Sequence, residues 1–175
     1  MKIRLLTPAD APAYQARRLS ALQAHPTAFS SSYEEECGTP IATIAEQLGP
    51  QHDRARLGAF DDESLCGILA IRRDDMQKVS HKATIWGVYV APEARQAGVG
   101  RQLFSLALRF ALDELKVRQV NLSVNAKNAP AIALYQRMGF EQYGLERRYL
   151  IVNGEPQDEH HMVHFLDGWQ PSTLV

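Results

Sequence analysis

Hydrophobic and polar positions follow two periods along the chain, and the change of period separates predicted helices from predicted strands. From Gly98 onward, one helical face carries the apolar residues Val99, Leu103, Leu106, Ala107, Phe110, Ala111 and Leu115. Residues 128–138 predict a second amphipathic helix, which Gly139 ends in a left-handed cap. Nearer the N-terminus, helix-start signals predict one helix over 7–24 and another over 39–49.

Short apolar runs, rich in β-branched and aromatic residues, predict the strands. They cover residues 2–6, 54–60, 65–72, 82–90 and 117–124, with two more runs around Asn153 and Gly154. An Asn-Gly pair tolerates positive φ and favours a hairpin. The run 82–90 is mostly apolar, so we expect a central strand covered on both faces. Residues 25–38 predict a loop or broken helix. The whole pattern indicates an α+β architecture, a mixed twisted sheet flanked by helices.

Composition narrows the classes of function. A chain of 175 residues with 45% hydrophobic content predicts a single domain over 1–175. Its 19 basic and 20 acidic residues give no positive field, so we expect small-molecule or peptide partners and no nucleic acid. Residues 1–10 lack a signal-peptide core, and no run approaches the roughly 20 apolar residues of a membrane span. With Cys37 and Cys66 lacking a paired spacing, a cytoplasmic protein without membrane contact is expected.

Residues 95–101 read RQAGVGR and lie between a predicted strand and a predicted helix. Glycines at such a turn expose the free N–H groups of the helix start, where the helix dipole favours an anion, and Arg95 and Arg101 add positive charge. The pattern therefore suits a pyrophosphate, although Gly98 and Gly100 could also serve only a tight turn. Neither a P-loop nor a dinucleotide-binding GxGxxG motif is present.

Two blocks of sequence, VYVAPEARQAGVGRQL and LSVNAKNAPAIALYQRMGF, together resemble the GNAT superfamily of acyl-CoA-dependent N-acetyltransferases. In VYVAPEARQAGVGRQL, the family's [QR]xxGx[GA] positions are filled by Arg95, Gly98 and Gly100. In LSVNAKNAPAIALYQRMGF, the residues at the expected spacing are Asn128, Ala131, Leu134, Tyr135, Gly139 and Phe140. The chain departs from many members at Gln96 and Ala97, where they carry glycine and a basic residue; Arg101 could replace the lost charge.

The resemblance implies a mostly antiparallel sheet in which the strands 82–90 and 117–124 splay apart around acetyl-CoA. Backbone groups of Val88, Tyr89 and Val90 would bind the pantetheine arm and polarise the thioester. The pyrophosphate would lie against Arg95, Gln96, Ala97, Gly98, Val99, Gly100 and Arg101. Asn128 would both cap its helix and contact the cofactor. Tyr135 would protonate the leaving thiolate, because a phenol with a pKa of about 10 keeps its proton at neutral pH; the alternative is a purely structural core tyrosine.

The general base stays open at the level of sequence. The central stretch 85–88 has no carboxylate where many relatives carry glutamate. The candidates are Glu34, Glu35, Glu36, Glu159, His160 and His161, or a water chain. Strand alternation would separate His161 from His160 and His164, so we expect no metal site.

These observations predict an N-acetyltransferase that moves acetyl from acetyl-CoA to a primary amine by direct attack in a ternary complex. Neither motif contains a cysteine that could form an acyl-enzyme. The identity of the small-molecule or peptide amine, the use of other acyl groups and assembly as a homodimer are left open. Two alternatives remain, a non-catalytic acyl-CoA sensor of the same fold and a protein that binds another nucleotide pyrophosphate.

Overall fold

The computed structural model describes residues 1–166, so residues 167–175 of the predicted 1–175 domain lie outside it. The described strands are β1 Lys2–Leu5, β2 Arg54–Asp61, β3 Ser64–Arg73, β4 Lys82–Val90, β5 Gln119–Asn125, β6 Glu141–Val152 and β7 Glu155–Phe165. The described helices are α1 Ala11–Ala24, α2 Tyr33–Glu36, α3 Ile41–Leu48, α4 Val99–Asp113 and α5 Ala129–Arg137. Within residues 1–166, no helix is both long and apolar enough to span a membrane.

The seven described strands form one sheet in the order β1-β2-β3-β4-β5-β7-β6. Neighbouring strands are antiparallel, except that β4 and β5 are parallel. The predicted mixed, mostly antiparallel sheet flanked by helices is therefore confirmed. β4 occupies the middle of the described sheet, as its apolar sequence indicated.

Helices cover both faces of the sheet. A Cβ added at Gly67 would meet Val99 and Leu103, so the face to which Gly67 points lies under α4. Arg56 points to the opposite face, where its guanidinium lies 5.7 Å from the Tyr14 ring centroid of α1 and bonds to Gln47 of α3. We call these the α4 face and the α1 face.

The predicted local signals account for most element ends. α1 follows a short 3-10 turn in which Asp10 accepts from the Thr7 backbone at 2.7 Å and pairs with Arg4. Residues 25–38 are a broken helix, with a 3-10 turn at Pro26–Ala28 and then α2. Asn153 and Gly154 both have positive φ in the β6–β7 hairpin, as the Asn-Gly signal predicted.

The expected burial of β4 on both faces is wrong, because only Ala83, Ile85 and Tyr89 among its nine residues are buried. Ala83 and Ile85 are fully buried on the α4 face, but Trp86 on the α1 face is 37% exposed. This exposed position directly precedes a bulge in β4, where the register against β3 shifts.

Candidate functional site

The cleft of the site is a gap between β4 and β5. Among the described residues these strands pair over three positions, Lys82–Thr84 with Gln119–Asn121, and then separate. The separation begins at a bulge where β4 passes Trp86 and the register against β3 shifts, with Gly87 at φ +63°. A bulge bends its strand, and positive φ favours glycine. The predicted splay is confirmed, and a glycine within an apolar strand is compatible with such a bulge.

A cluster of free backbone N–H groups lies in the loop between β4 and α4. Within residues 1–166, no backbone carbonyl accepts a hydrogen bond from the N–H groups of 96–101, and the first helical bond of α4 runs from Gln102 to Gly98 at 3.1 Å. Gly98, at φ +76°, turns the chain into the helix. These donors lie at the N-terminal, positive end of the α4 dipole, so an anion with several acceptor oxygens fits them.

Two residues of the loop make structural contacts that the sequence did not indicate. Arg95 donates to the Val90 carbonyl at 3.0 Å and lies 3.0 Å from Nε2 of His25, so its guanidinium ties the loop to β4 and the end of α1. A Cβ added at Gly100 would lie 2.8 Å from Leu134, so this glycine lets α5 approach α4. Arg101 and Gly98 line a surface groove of about 520 Å³ that includes neither the gap nor Tyr135.

Tyr135 of α5 packs in an aromatic cluster with Phe104 of α4 and with Phe140. Its ring centroid lies 5.0 Å from that of Phe104 and 6.4 Å from that of Phe140. Burial raises the pKa of Tyr135 above its ordinary value, so the phenol keeps its proton at any physiological pH. Asn128 is the N-cap of α5, accepting from the Ala131 backbone at 3.3 Å, and this part of its prediction is confirmed.

A hydrogen-bonded chain borders the gap on the α1 face. Thr84 pairs with Asn121, so the next positions on the same face, Trp86 and Ser123, lie on opposite sides of the opening. Ser123 Oγ lies 2.9 Å from Nδ1 of His161, whose Nε2 lies 3.1 Å from Glu146. A carboxylate that holds one imidazole nitrogen leaves the other able to accept a proton through the hydroxyl.

Comparison with known proteins shows the family. The sequence model of the Acetyltransferase (GNAT) family matches residues 16–140, which include both glycine loop and tyrosine helix. The chain belongs to the GNAT acetyltransferase family. It is 31% identical over 117 residues to the L-amino acid N-acetyltransferase AaaT of Escherichia coli K12, covering 67% of this chain and 72% of that one.

Other GNAT proteins resemble it over different lengths. The ribosomal protein bS18-alanine N-acetyltransferase of Escherichia coli K12 is 40% identical over 85 residues, which cover 47% of this chain and 55% of the relative. The structure of yncA from Salmonella typhimurium with its cofactor acetyl-CoA superposes with a TM-score of 0.78 at 20% identity, over 100% of this chain and 99% of the other. At that identity, the structural likeness shows a shared fold.

The candidate general bases that the sequence could not distinguish lie on two different elements, α2 and β7. Glu35 accepts from the Ser32 backbone at 2.7 Å in a helix cap, and Glu36 binds Arg18. Glu34 is exposed on the same short helix.

The candidates on β7 divide between the two faces of the sheet. His160 pairs with Val124 and points to the α4 face with His164, whereas Glu159 and His161 point to the α1 face beside the gap. This alternation agrees with the predicted separation of His161 from the other two histidines. Burial raises the pKa of the Glu159 carboxyl, Glu146 raises it further, and His161 opposes them.

The sequence analysis missed two polar residues that border the gap. Ser123 and Glu146 become neighbours of His161 only through the pairing of β5, β7 and β6. Strand periodicity could place Ser123 on one face, but register across three strands was needed to bring Glu146 to the same imidazole. Arg18 was also missed, because a lone arginine on an amphipathic helix resembles a solvated surface charge.

Proposed function

We propose that the protein is an N-acetyltransferase that transfers an acetyl group from acetyl-CoA to a primary amine by direct attack in a ternary complex. The observation that carries this proposal is the β4–β5 gap, together with free backbone amides in the loop that follows β4 and a buried, protonated tyrosine on α5. The 31% identity to an L-amino acid N-acetyltransferase supports an amine as the acceptor.

The residues present fit the co-substrate. A pyrophosphate needs several N–H donors with little side-chain bulk, which residues 96–101 offer around Gly98. The backbone of Val88–Val90, which lacks a β5 partner among the described residues, would bind the pantetheine arm as an added strand does. Asn128, at the start of α5, would contact the same molecule.

Proton transfer requires two different groups. Acetyl-CoA supplies an activated thioester, and the amine nitrogen forms a bond to its carbonyl carbon while the carbon–sulfur bond breaks. His161, oriented by Glu146, takes the proton of the amine through Ser123. Tyr135 gives its proton to the departing thiolate and is reprotonated from solvent.

The first experiment is isothermal titration of the protein with acetyl-CoA, with ADP and NAD in parallel. Selective micromolar binding of acetyl-CoA is expected, and comparable binding of ADP would instead favour the alternative of a general pyrophosphate site. Thiol release with a panel of amines then tests turnover. Binding with thiol release at background for every amine would favour the sensor alternative.

Two substitutions test the proton route. Tyr135→Phe keeps the ring in its aromatic cluster and should lower kcat by about 100-fold or more with little change in the Kd of acetyl-CoA. His161→Gln, which keeps a polar side chain but removes the nitrogen that accepts the proton, should reduce kcat. Tyr14→Phe, on α1 away from the gap, is the matched control. Full activity of Tyr135→Phe would exclude the phenol as the acid.

A further inference from the structure

The guanidinium group of Arg18 on α1 has one nitrogen, Nη1, without a hydrogen-bond partner among residues 1–166. The residue is 9% exposed, and its Nε and Nη2 donate to the two carboxylate oxygens of Glu36 at 3.0 and 2.6 Å. Its guanidinium carbon lies 4.7 Å from the ring centroid of Phe29. Nη1 is buried and has no hydrogen-bond partner among residues 1–166. A buried donor without a partner costs free energy, so this arrangement indicates an occupant that supplies an acceptor.

The free edge faces the bulge of β4. Nη1 lies 3.7 Å from the position that a Cβ of Gly87 would occupy, on the α1 face where Trp86 is exposed. The free amides of 96–101 lie at the start of α4, which covers the opposite face. Nη1 is therefore placed on the acceptor side of the gap rather than on the side proposed for acetyl-CoA.

Glu36, the hydrogen-bond partner of Arg18, keeps its negative charge. Burial alone would raise the pKa of Glu36, but the hydrogen bonds and charge of Arg18 outweigh it, and Arg56 lowers it further. Glu36 is therefore ionised at neutral pH, with the guanidinium groups of Arg18 and Arg56 acting on it. Because Glu36 accepts from both Nε and Nη2, it fixes the plane of the Arg18 guanidinium group. Nη1 is thereby oriented to donate to a second carboxylate.

We propose that Arg18 Nη1 binds a carboxylate of the amine acceptor, so that the acceptor is a small amino carboxylate such as a free amino acid. This inference rests on the proposed acetyltransferase function and specifies its substrate class. An amide or a decarboxylated amine would leave Nη1 without its charged acceptor. The N-terminus of a protein lacks a carboxylate next to its amine.

The test compares each of the twenty amino acids with its amide and its decarboxylated amine, by thiol release from acetyl-CoA. For the best substrates, kcat/KM should favour the amino acid by at least roughly tenfold, which equals about 1.4 kcal/mol. In Arg18→Lys, which keeps a cation beside Glu36 but loses the planar fork, this preference should fall to near one. Arg17→Lys on the same helix is the matched control and should keep it.

A binding measurement separates this proposal from the proposed function. Protein saturated with CoA cannot turn over, and it should bind the preferred amino acid at least tenfold more tightly than its amide. If no amine is acetylated, the proposed function fails. If amines are acetylated but amides serve equally well, or Arg18→Lys keeps the preference, the Arg18 proposal alone is overturned. Should Arg18→Lys not fold, the double variant Arg18→Gln with Glu36→Gln, which removes both charges together, takes its place.

Discussion

Gly139 ends α5, and replacing it with alanine should destabilise the protein through two separable effects. Its φ is +86°, and an added Cβ would lie 2.7 Å from both Cε1 and Nδ1 of His164. The imidazole cannot withdraw freely, because Nδ1 lies 2.8 Å from the Gly139 carbonyl and the ring packs 5.4 Å from that of Phe140. The substitution therefore imposes backbone strain and a steric clash at the same position.

The two effects can be given magnitudes. A left-handed backbone costs a non-glycine residue about 1 kcal/mol, and overpacking typically costs about 1–3 kcal/mol. The expected loss in Gly139→Ala is therefore about 2–4 kcal/mol, or a fall in Tm of about 5–15 °C for a chain of this size. Gly154→Ala is the matched control, since Gly154 has φ +81° and an added Cβ would meet no described heavy atom within 4 Å. It should lose only about 1 kcal/mol.

Thermal and urea unfolding followed by circular dichroism measure both variants. A double-mutant cycle with His164→Ala isolates the clash, and the coupling should recover at least about 1 kcal/mol of the loss in Gly139→Ala. Equal losses in Gly139→Ala and Gly154→Ala, or a cycle with no coupling, would refute the assigned contact with His164.

Three further outcomes follow from the backbone and the charges. Gly98 has φ +76° and no described atom within 4 Å of an added Cβ, so Gly98→Ala should cost about as much stability as Gly154→Ala. The same substitution should also raise the Kd of acetyl-CoA by at least roughly tenfold. Unchanged affinity would contradict the assignment of this loop to the pyrophosphate. Gln96→Gly should raise the unfolding free energy by about 0.5 kcal/mol in denaturant titration, because Gln96 has φ +65° and glycine relieves more strain than it adds in unfolded-state entropy. The hydrogen bonds and charge of Arg4 hold the pKa of Asp10 well below its ordinary value, so this pair stabilises the fold above about pH 4 and loses that effect as the pH falls further. The Tm difference between the natural protein and Asp10→Asn should therefore be larger at pH 7 than at pH 2, and a constant difference would contradict the pairing.

Local signals predicted the elements of this fold well, while contacts between distant segments needed the structure. Asn153 and Gly154 specify a hairpin by their own backbone preferences, and Asn128 caps its own helix. In contrast, Glu36 lies 18 positions from Arg18 along the chain, and their bidentate pair depends on how α2 returns over α1. Residue type and periodicity carry no information on how α2 packs against α1, so the unpaired Nη1 of Arg18 could not be predicted.

The splay was expected from the resemblance, but the reason for it was visible only in the register. Gly87 provides the extra residue and the positive φ that redirect β4. A lone glycine in a strand is compatible with a bulge or with a close backbone approach, and the sequence does not distinguish them. The same is true of Gly100, whose missing side chain admits Leu134.

The short parallel pairing of β4 with β5 also has a consequence for the order of folding. Strands β1 to β4 are neighbours in the described sheet in their chain order, with β2, β3 and β4 in a simple meander, whereas β5 must find both β4 and the later β7. Contacts close in sequence form at low entropic cost, and distant pairings form late. The N-terminal half of the sheet is therefore expected to assemble first, and the three-residue pairing of β4 with β5, which joins the two halves of the sheet, is expected to form late.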